Sequence, residues 1–339
     1  MNPDTQNPSP PGREAIPEEG GAAAPPAASR AIRLRVPRWL DPVFRTATAA
    51  AACLVLLLIA AMGAVLYSKG HLATTTFGLR FLWSQAWDPV KGDFGALPAI
   101  FGTVVSSAIA LFIATPIALG VAIFLTEMAP PWLSKPVGLA IEMLAAVPSI
   151  IYGMWGLFVF APFLAARVEP ALQFIAGGLP LFEGAPMGIG MLPASLILAV
   201  MILPFISSVM RDVFALVPAV AKESAYGLGA TTWEVVRSVV IPHTRSGVLG
   251  AIFLGLGRAL GETMAVTFVI GNAHRISPSL LAPGCTIAST LANEFSEAIS
   301  DLHVASLIQL GFILFLITTF ILACAKLLLW RIEAQVKGR

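Results

Sequence analysis

The chain has 339 residues, 57% of them hydrophobic and 12% charged, with a formal net charge of +2 and a mean hydropathy of +0.83. Soluble domains carry about 25% charged residues. Half that share, with repeated apolar runs of about 20 residues, excludes an ordinary soluble fold and places the chain among membrane proteins.

Residues 1–30 are rich in Pro, Ala, Gly and Glu and lack apolar periodicity. They read as a disordered tail. Arg30, Arg33, Arg35, Arg38 and Arg45 form a basic collar just before the first apolar run. The tail with its collar is expected to occupy about 1–40, on the cytosolic side. The first apolar run begins too late and runs too long for a cleaved secretory signal.

Six membrane spans are expected, at about 43–67, 98–126, 137–161, 191–215, 246–271 and 304–330. Each is long enough to cross about 30 Å of hydrocarbon at about 1.5 Å per residue. The fold class that follows is an all-α integral membrane protein, its permease-like domain covering about 41–335. With the N-terminus inside, the inner segments hold fifteen Lys and Arg and the outer loops five. This asymmetry predicts that both termini are cytosolic. The spans also hold breakers: Pro116, Pro148, Pro193, Pro204, Gly120, Gly153 and Gly156. A helical bundle tolerates them because neighbouring helices re-satisfy the freed backbone groups.

Between the fourth and fifth spans lies a polar loop, about 216–245, containing Glu223–Pro242, ESAYGLGATTWEVVRSVVIP. Pro218 suits the first turn of a helix through Tyr226. Gly227 and Gly229 supply a stop and a turn. Thr231 and Glu234 have capping-box spacing ahead of Val235, Val236, Val239 and Val240. The expected structure is a helix, a glycine turn and a second helix ending at Pro242. The first helix would present Lys222, Glu223 and Tyr226 outward.

The spacing of Glu223, Ser224, Ala225, Gly229, Val239 and Pro242 resembles the EAA loop of ABC importer permeases. Ser224 stands where that family usually has Ala, and Val239 and Ile241 where Ile and Leu are usual. The resemblance implies a type I importer bundle. It also implies that Lys222, Glu223, Ser224, Ala225, Tyr226, Gly229 and Pro242 couple the chain to a separate ATPase.

In the fifth span, Arg258 and Glu262 stand four apart, a spacing that places them on one helix face. Ionisable residues at membrane depth usually face a bundle interior or a water-filled path. Arg binds oxyanions bidentately through its planar donors. An anion path through Arg258, Glu262 and Thr263 is therefore expected, with Glu262 holding Arg258 when no anion is present. The other reading is an ion pair that only fixes packing. Gly255, Gly257 and Gly261 allow close approach to the backbone.

GRALGETMAV in this span resembles permeases of the phosphate-specific ABC importer, PstC type rather than PstA type. So do WDPVKGDFGALPAIFGT (Trp87–Thr103) and AAVPSIIYGMWGLFVFAP (Ala145–Pro162). The resemblance implies import of inorganic phosphate. It implies a PstA-type second permease, a PstB-type ATPase dimer and an extracytoplasmic PstS-type phosphate-binding protein as partners. It also implies residence in the bacterial inner membrane. Residue chemistry alone leaves sulfate or molybdate open as the cargo, and an intramembrane sensor or enzyme as the other class.

The sequence holds no Gly-x-x-x-x-Gly-Lys-Ser/Thr loop. No cofactor is expected on this chain, and ATP with Mg is expected on the partner ATPase. No catalytic residue, metal site or nucleic-acid partner is expected. Cys53, Cys285 and Cys324 have no close spacing, and His71, His243, His274 and His303 are scattered. Glu142 is expected to snorkel or pair with Lys135. Thr103, Ser106 and Ser107 either line a path or bond their own helix. Trp83, Trp87, Trp132 and Trp330 suit interfacial belts.

Overall fold

The computed structural model describes residues 40–176 and 179–337. The expected tail lies outside them, except for its last residue. The chain divides into two units, one ending at Leu57 and the other beginning at Leu58. The described part of the first unit, residues 40–57, is helical and belongs to α1 (Leu40–Phe77).

The larger unit continues with α2 (Arg80–Trp83), a two-stranded hairpin of β1 (Trp87–Asp88) and β2 (Asp93–Phe94), and α3 (Leu97–Ile123). The strands are antiparallel, with Trp87 opposite Phe94 and Asp88 opposite Asp93. A π-helical turn, Phe124–Met128, ends α3, and α4 (Pro131–Ala145) follows. The next long helix comprises α5 (Ser149–Trp155), α6 (Ala161–Phe163) and α7 (Glu169–Ala176), joined by π turns at Gly156–Phe160 and Leu164–Val168. After α8 (Met191–Ala215) come α9 (Ala219–Gly227), α10 (Thr232–Val235), a π turn at Val236–Val240 and α11 (Ile241–Leu260). The chain closes with α12 (Met264–Thr267), α13 (Ile287–Glu294) and α14 (Asp301–Lys337).

Among the described residues, six stretches of helix are long and apolar enough to cross a membrane: Asp41–Phe77, Leu97–Met128, Ser149–Ala176, Met191–Ala215, Thr232–Leu260 and Asp301–Ile332. Six spans were expected and six are found, but several ends differ: the first runs on to Phe77 and not to about 67, the third to Ala176 and not to about 161, the fifth ends at Leu260 and not near 271, and the third and fifth also begin elsewhere. The third begins at Ser149, not near 137, because the residue before a proline disfavours helical geometry. The α4 helix stops at Ala145, and Pro148 becomes the N-cap of α5. The fifth begins at Thr232 and does not stop at Pro242. A proline lacks the N–H that the carbonyl four residues back requires. The preceding π turn shifts that bonding by one residue, with the Ile241 N–H donating to the Val236 carbonyl. Pro162 is passed in the same way, with the Ala161 N–H donating to the Gly156 carbonyl.

The centre of the bundle is α8, 61% of whose apolar window is buried against at most 28% for any other span. Ala110, Ala114, Ala118 and Ala122 recur every fourth residue of α3 and are fully buried in the core with Ile197, Ile202 and Ile206 of α8. Small side chains at this spacing let two helices approach closely. Gly255 of α11 does the same on another side of α8. A methyl group there would lie 2.5 Å from Ile206, so the two helices meet without room for a side chain. The donors at the start of α8 are taken up by the 280–282 segment: Leu192 N–H donates to Leu280 O (2.7 Å) and Met191 N–H to Ala282 O (3.2 Å).

Candidate functional site

Arg258 lies in the last turn of α11, which ends at Leu260. Its guanidinium carbon stands 5.5 Å from the ring centroid of Phe205 on α8. Its Nε is buried without a hydrogen-bond partner, and no carboxylate among the described residues lies within ion-pair distance of it. The aromatic face and the partial negative charge of the helix C-terminus favour the cation. Neither neutralises it.

The expected Arg258–Glu262 pair does not form. Four-residue spacing brings side chains together only within one helix, and α11 stops between them. Gly261 is the C-cap, and the buried Glu262 turns its Oε1 to accept the Ala265 N–H at 3.1 Å. Glu262 thus caps the start of α12. Thr263 Oγ1 donates to the Gly261 carbonyl at 3.3 Å, so it too serves local backbone. Arg258 is left as a half-buried, unpaired cation against an aromatic ring, the chemistry of a site for an anion.

At the other end of the same continuous helix is the glycine turn. Thr231 and Glu234 form the capping box: Thr231 N–H donates to Glu234 Oε2 (2.8 Å) and Glu234 N–H to Thr231 Oγ1 (3.4 Å). Gly229 has φ +87°, which glycine alone adopts without strain. Its N–H donates to the Tyr226 carbonyl (2.9 Å). Glu223, Ser224, Tyr226 and Pro242 are exposed, and Ala225 packs inward on the core. Ser224 Oγ donates back to the Val220 carbonyl at 2.7 Å.

Lys222 departs from expectation. Its ammonium lies 2.5 Å from Glu127 Oε1, and only 20% of its side chain and 5% of that of Glu127 are exposed. It faces the bundle, not outward. Val220, Leu228 and Trp233 are 72%, 90% and 65% exposed around the same turn. Large apolar side chains in a polar, solvated loop are the signal for this patch, and sequence reasoning passed over it. Glu142 also has an unexpected partner: it pairs with Arg211 on α8, not with Lys135.

A second polar centre joins segments that the sequence keeps far apart. Glu294, at the end of α13, accepts from Trp87 Nε1 (2.7 Å), His274 Nε2 (2.8 Å) and His303 Nε2 (3.0 Å). A carboxylate only accepts, so each of these histidines carries its hydrogen on Nε2. Trp87 stacks on His274 and Phe94 on His303, each at 5.0 Å. Burial pushes the Glu294 carboxyl up, but the bonds from His274, Trp87 and His303 outweigh it and hold it below the usual range. Trp87 is therefore a tether and not a belt residue, whereas Trp83, Trp132 and Trp330 are exposed.

Cys285 Sγ lies 3.5 Å from His274 Nδ1, completing a thiol–imidazole–carboxylate chain. Burial pushes this thiol up to about 12. It stays protonated near neutrality and cannot act as the thiolate that nucleophilic chemistry needs. Among the polar residues of α3, Thr103 Oγ1 donates to Ala99 O (2.8 Å) and accepts the Ile287 N–H (2.9 Å). Its role is to pin α13 to the bundle.

The family described as "Binding-protein-dependent transport system inner membrane component" matches residues 114–333. The chain is 57% identical over 299 residues to the phosphate transport system permease protein PstC of Mesorhizobium japonicum, covering 87% of this chain and 91% of that one. It is 56% identical over 304 residues to the protein of the same name from Pasteurella multocida, covering 88% and 94%. Among solved structures it resembles a chain of the inward-facing MetNI methionine ABC transporter, with a TM-score of 0.51 and 17% identity. That match covers 69% of this chain and 94% of that one, and it speaks to the fold alone.

Proposed function

We infer that this chain, which belongs to the family of binding-protein-dependent transport system inner membrane components, is the membrane-spanning permease of an ATP-driven importer of inorganic phosphate. It is a multi-pass protein of the inner membrane and a non-catalytic transport subunit. The observation that carries the cargo assignment is the 57% identity to a phosphate permease along most of the chain. Sulfate or molybdate is not favoured.

In this reading both termini and the α9 turn face the cytoplasm, in keeping with the fifteen-to-five distribution of Lys and Arg. A PstA-type permease completes the membrane unit, a PstB-type ATPase dimer holds ATP and Mg, and a PstS-type protein delivers phosphate from outside. The ATPase grips Glu223, Tyr226 and the exposed Val220, Leu228 and Trp233. Arg258, unpaired beside Phe205, offers its guanidinium to phosphate on the way through. Closing of the ATPase dimer moves α9, and the continuous helix from Thr232 to Leu260 carries that movement to Arg258. At about 1.5 Å per residue this helix is on the order of 40 Å long, enough to reach across the membrane core.

Uptake of radiolabelled phosphate by membrane vesicles containing all four kinds of subunit tests the assignment. Phosphate should accumulate only with ATP present, and excess unlabelled sulfate should leave the rate unchanged. Efficient competition by sulfate would contradict the assigned cargo.

A further inference from the structure

We propose that Lys222 and Glu127 form a second transmission joint, through which α9 drives α3 independently of its covalent link to α11. The proposal rests on the permease reading above and identifies two residues that would set its coupling efficiency.

Besides its covalent links to α8 and to α10, α9 meets the end of the α3 span through this pair. Lys222 sits at the middle of α9, and Glu127 lies in the π turn that ends the α3 span. Ninety-five residues separate them, so no local geometry obliges them to meet. The Glu127 end is firmly held: Leu125 is buried, Ser134 Oγ donates to the Leu125 carbonyl at 2.7 Å, and the Ala129 N–H donates to the Phe124 carbonyl at 2.8 Å. A lysine in so exposed a helix gains more hydration by pointing outward. Instead it gives up water for a carboxylate that is itself 95% covered. Such a pair contributes little net stability, but breaking it on one side leaves a buried charge and is costly. It therefore resists separation, which is what a joint requires.

The α9 helix, joined to α8 by residues 216–218, would then act through two further routes. One route runs through the glycine turn into α10 and α11 and ends at Arg258. The other runs through Lys222 and Glu127 into α3, whose alanine face lies along α8. Phe205 of α8 stands over Arg258, so the two routes converge on one guanidinium. The covalent links of α9 reach Phe205 through α8 and Arg258 through α11, and the pair adds α3, which packs along α8, so that the three helices move together. Lys222 and Glu127 are thus positioning residues that keep the site assembled while the bundle changes shape. Energetic coupling of this kind is measured between states and not read from proximity alone.

The test uses the full complex of this chain with its second permease, ATPase dimer and binding protein in proteoliposomes. Inorganic phosphate transported is measured per ATP hydrolysed. The double variant Lys222→Met/Glu127→Met removes both charges and avoids a lone buried ion. It should assemble and hydrolyse ATP, with transport per ATP lowered at least about fivefold. Glu127→Gln, which retains a carbonyl oxygen for the lysine, covers a folding failure of the double variant and should lower the ratio by a smaller factor. A ratio equal to that of the unmodified complex in any assembled variant would overturn the joint. Failure of the unmodified complex to import phosphate would instead overturn the permease reading itself.

Discussion

Arg258 and Glu262 stand four positions apart and form no ion pair, because α11 ends at Leu260 and Glu262 turns to accept the Ala265 N–H. A half-buried guanidinium that is deprived of its nearest carboxylate in sequence is, in the proposed function, the group offered to the transported anion. The capping geometry also separates the roles of the two residues, which identical spacing in an unbroken helix would have merged.

The first prediction tests that separation. Glu262→Gln keeps an oxygen that can accept the Ala265 N–H, so it should cost about 1 kcal/mol of stability at most. Phosphate uptake should stay within about a factor of five of the unmodified rate. A loss as deep as that of an Arg258 variant would mean that Glu262 takes part in handling the anion.

The second concerns the α9 turn. Gly229 has φ +87°, and any side chain there costs about 1–2 kcal/mol. Gly229→Leu should lower recovery of the ATPase in affinity pull-downs by roughly five- to thirtyfold. Glu223→Arg should also weaken attachment, and Trp233→Ala should do so by at least about 1 kcal/mol if the exposed indole fills a partner pocket. Unchanged yields for all three variants would remove α9 and its turn from the ATPase interface.

The third concerns pH. The Glu294 carboxyl is held below its ordinary value of 4.5. A depressed folded value stabilises the fold above the ordinary value, and that contribution is lost as pH falls through the folded one. Glu294→Gln should therefore lower the melting temperature of the purified complex at about pH 5 and above. The gap should close as the pH is taken below the ordinary carboxylate range. A gap that did not close below that range would refute the hydrogen-bonded carboxylate.

Much of the fold was legible because a membrane span announces itself through composition. The six apolar helices and the Thr231–Glu234 capping box follow from patterns within one segment. Helix ends were harder. Pro148 marks a break and Pro242 does not, and the difference lies in a π turn that no residue type announces. The long-range polar contacts were not legible at all. Lys222 finds Glu127 across 95 positions, Arg211 finds Glu142 across 69, and Trp87 finds Glu294 across 207. Each depends on which helix faces which, and hydropathy is blind to that. For the candidate site, residue chemistry singled out Arg258, but the partner proposed for it assumed a helix that continues. Gly261, between the two, was the available sign that it stops.

The most direct test of the account is phosphate uptake by the assembled complex carrying Arg258→Gln. This change removes charge-assisted hydrogen bonds worth about 1.5–3 kcal/mol while keeping a polar, uncharged side chain at the position. Uptake should fall at least about tenfold, with all four kinds of subunit still recovered together. Normal uptake by that complex would contradict the assignment of Arg258 to the phosphate path.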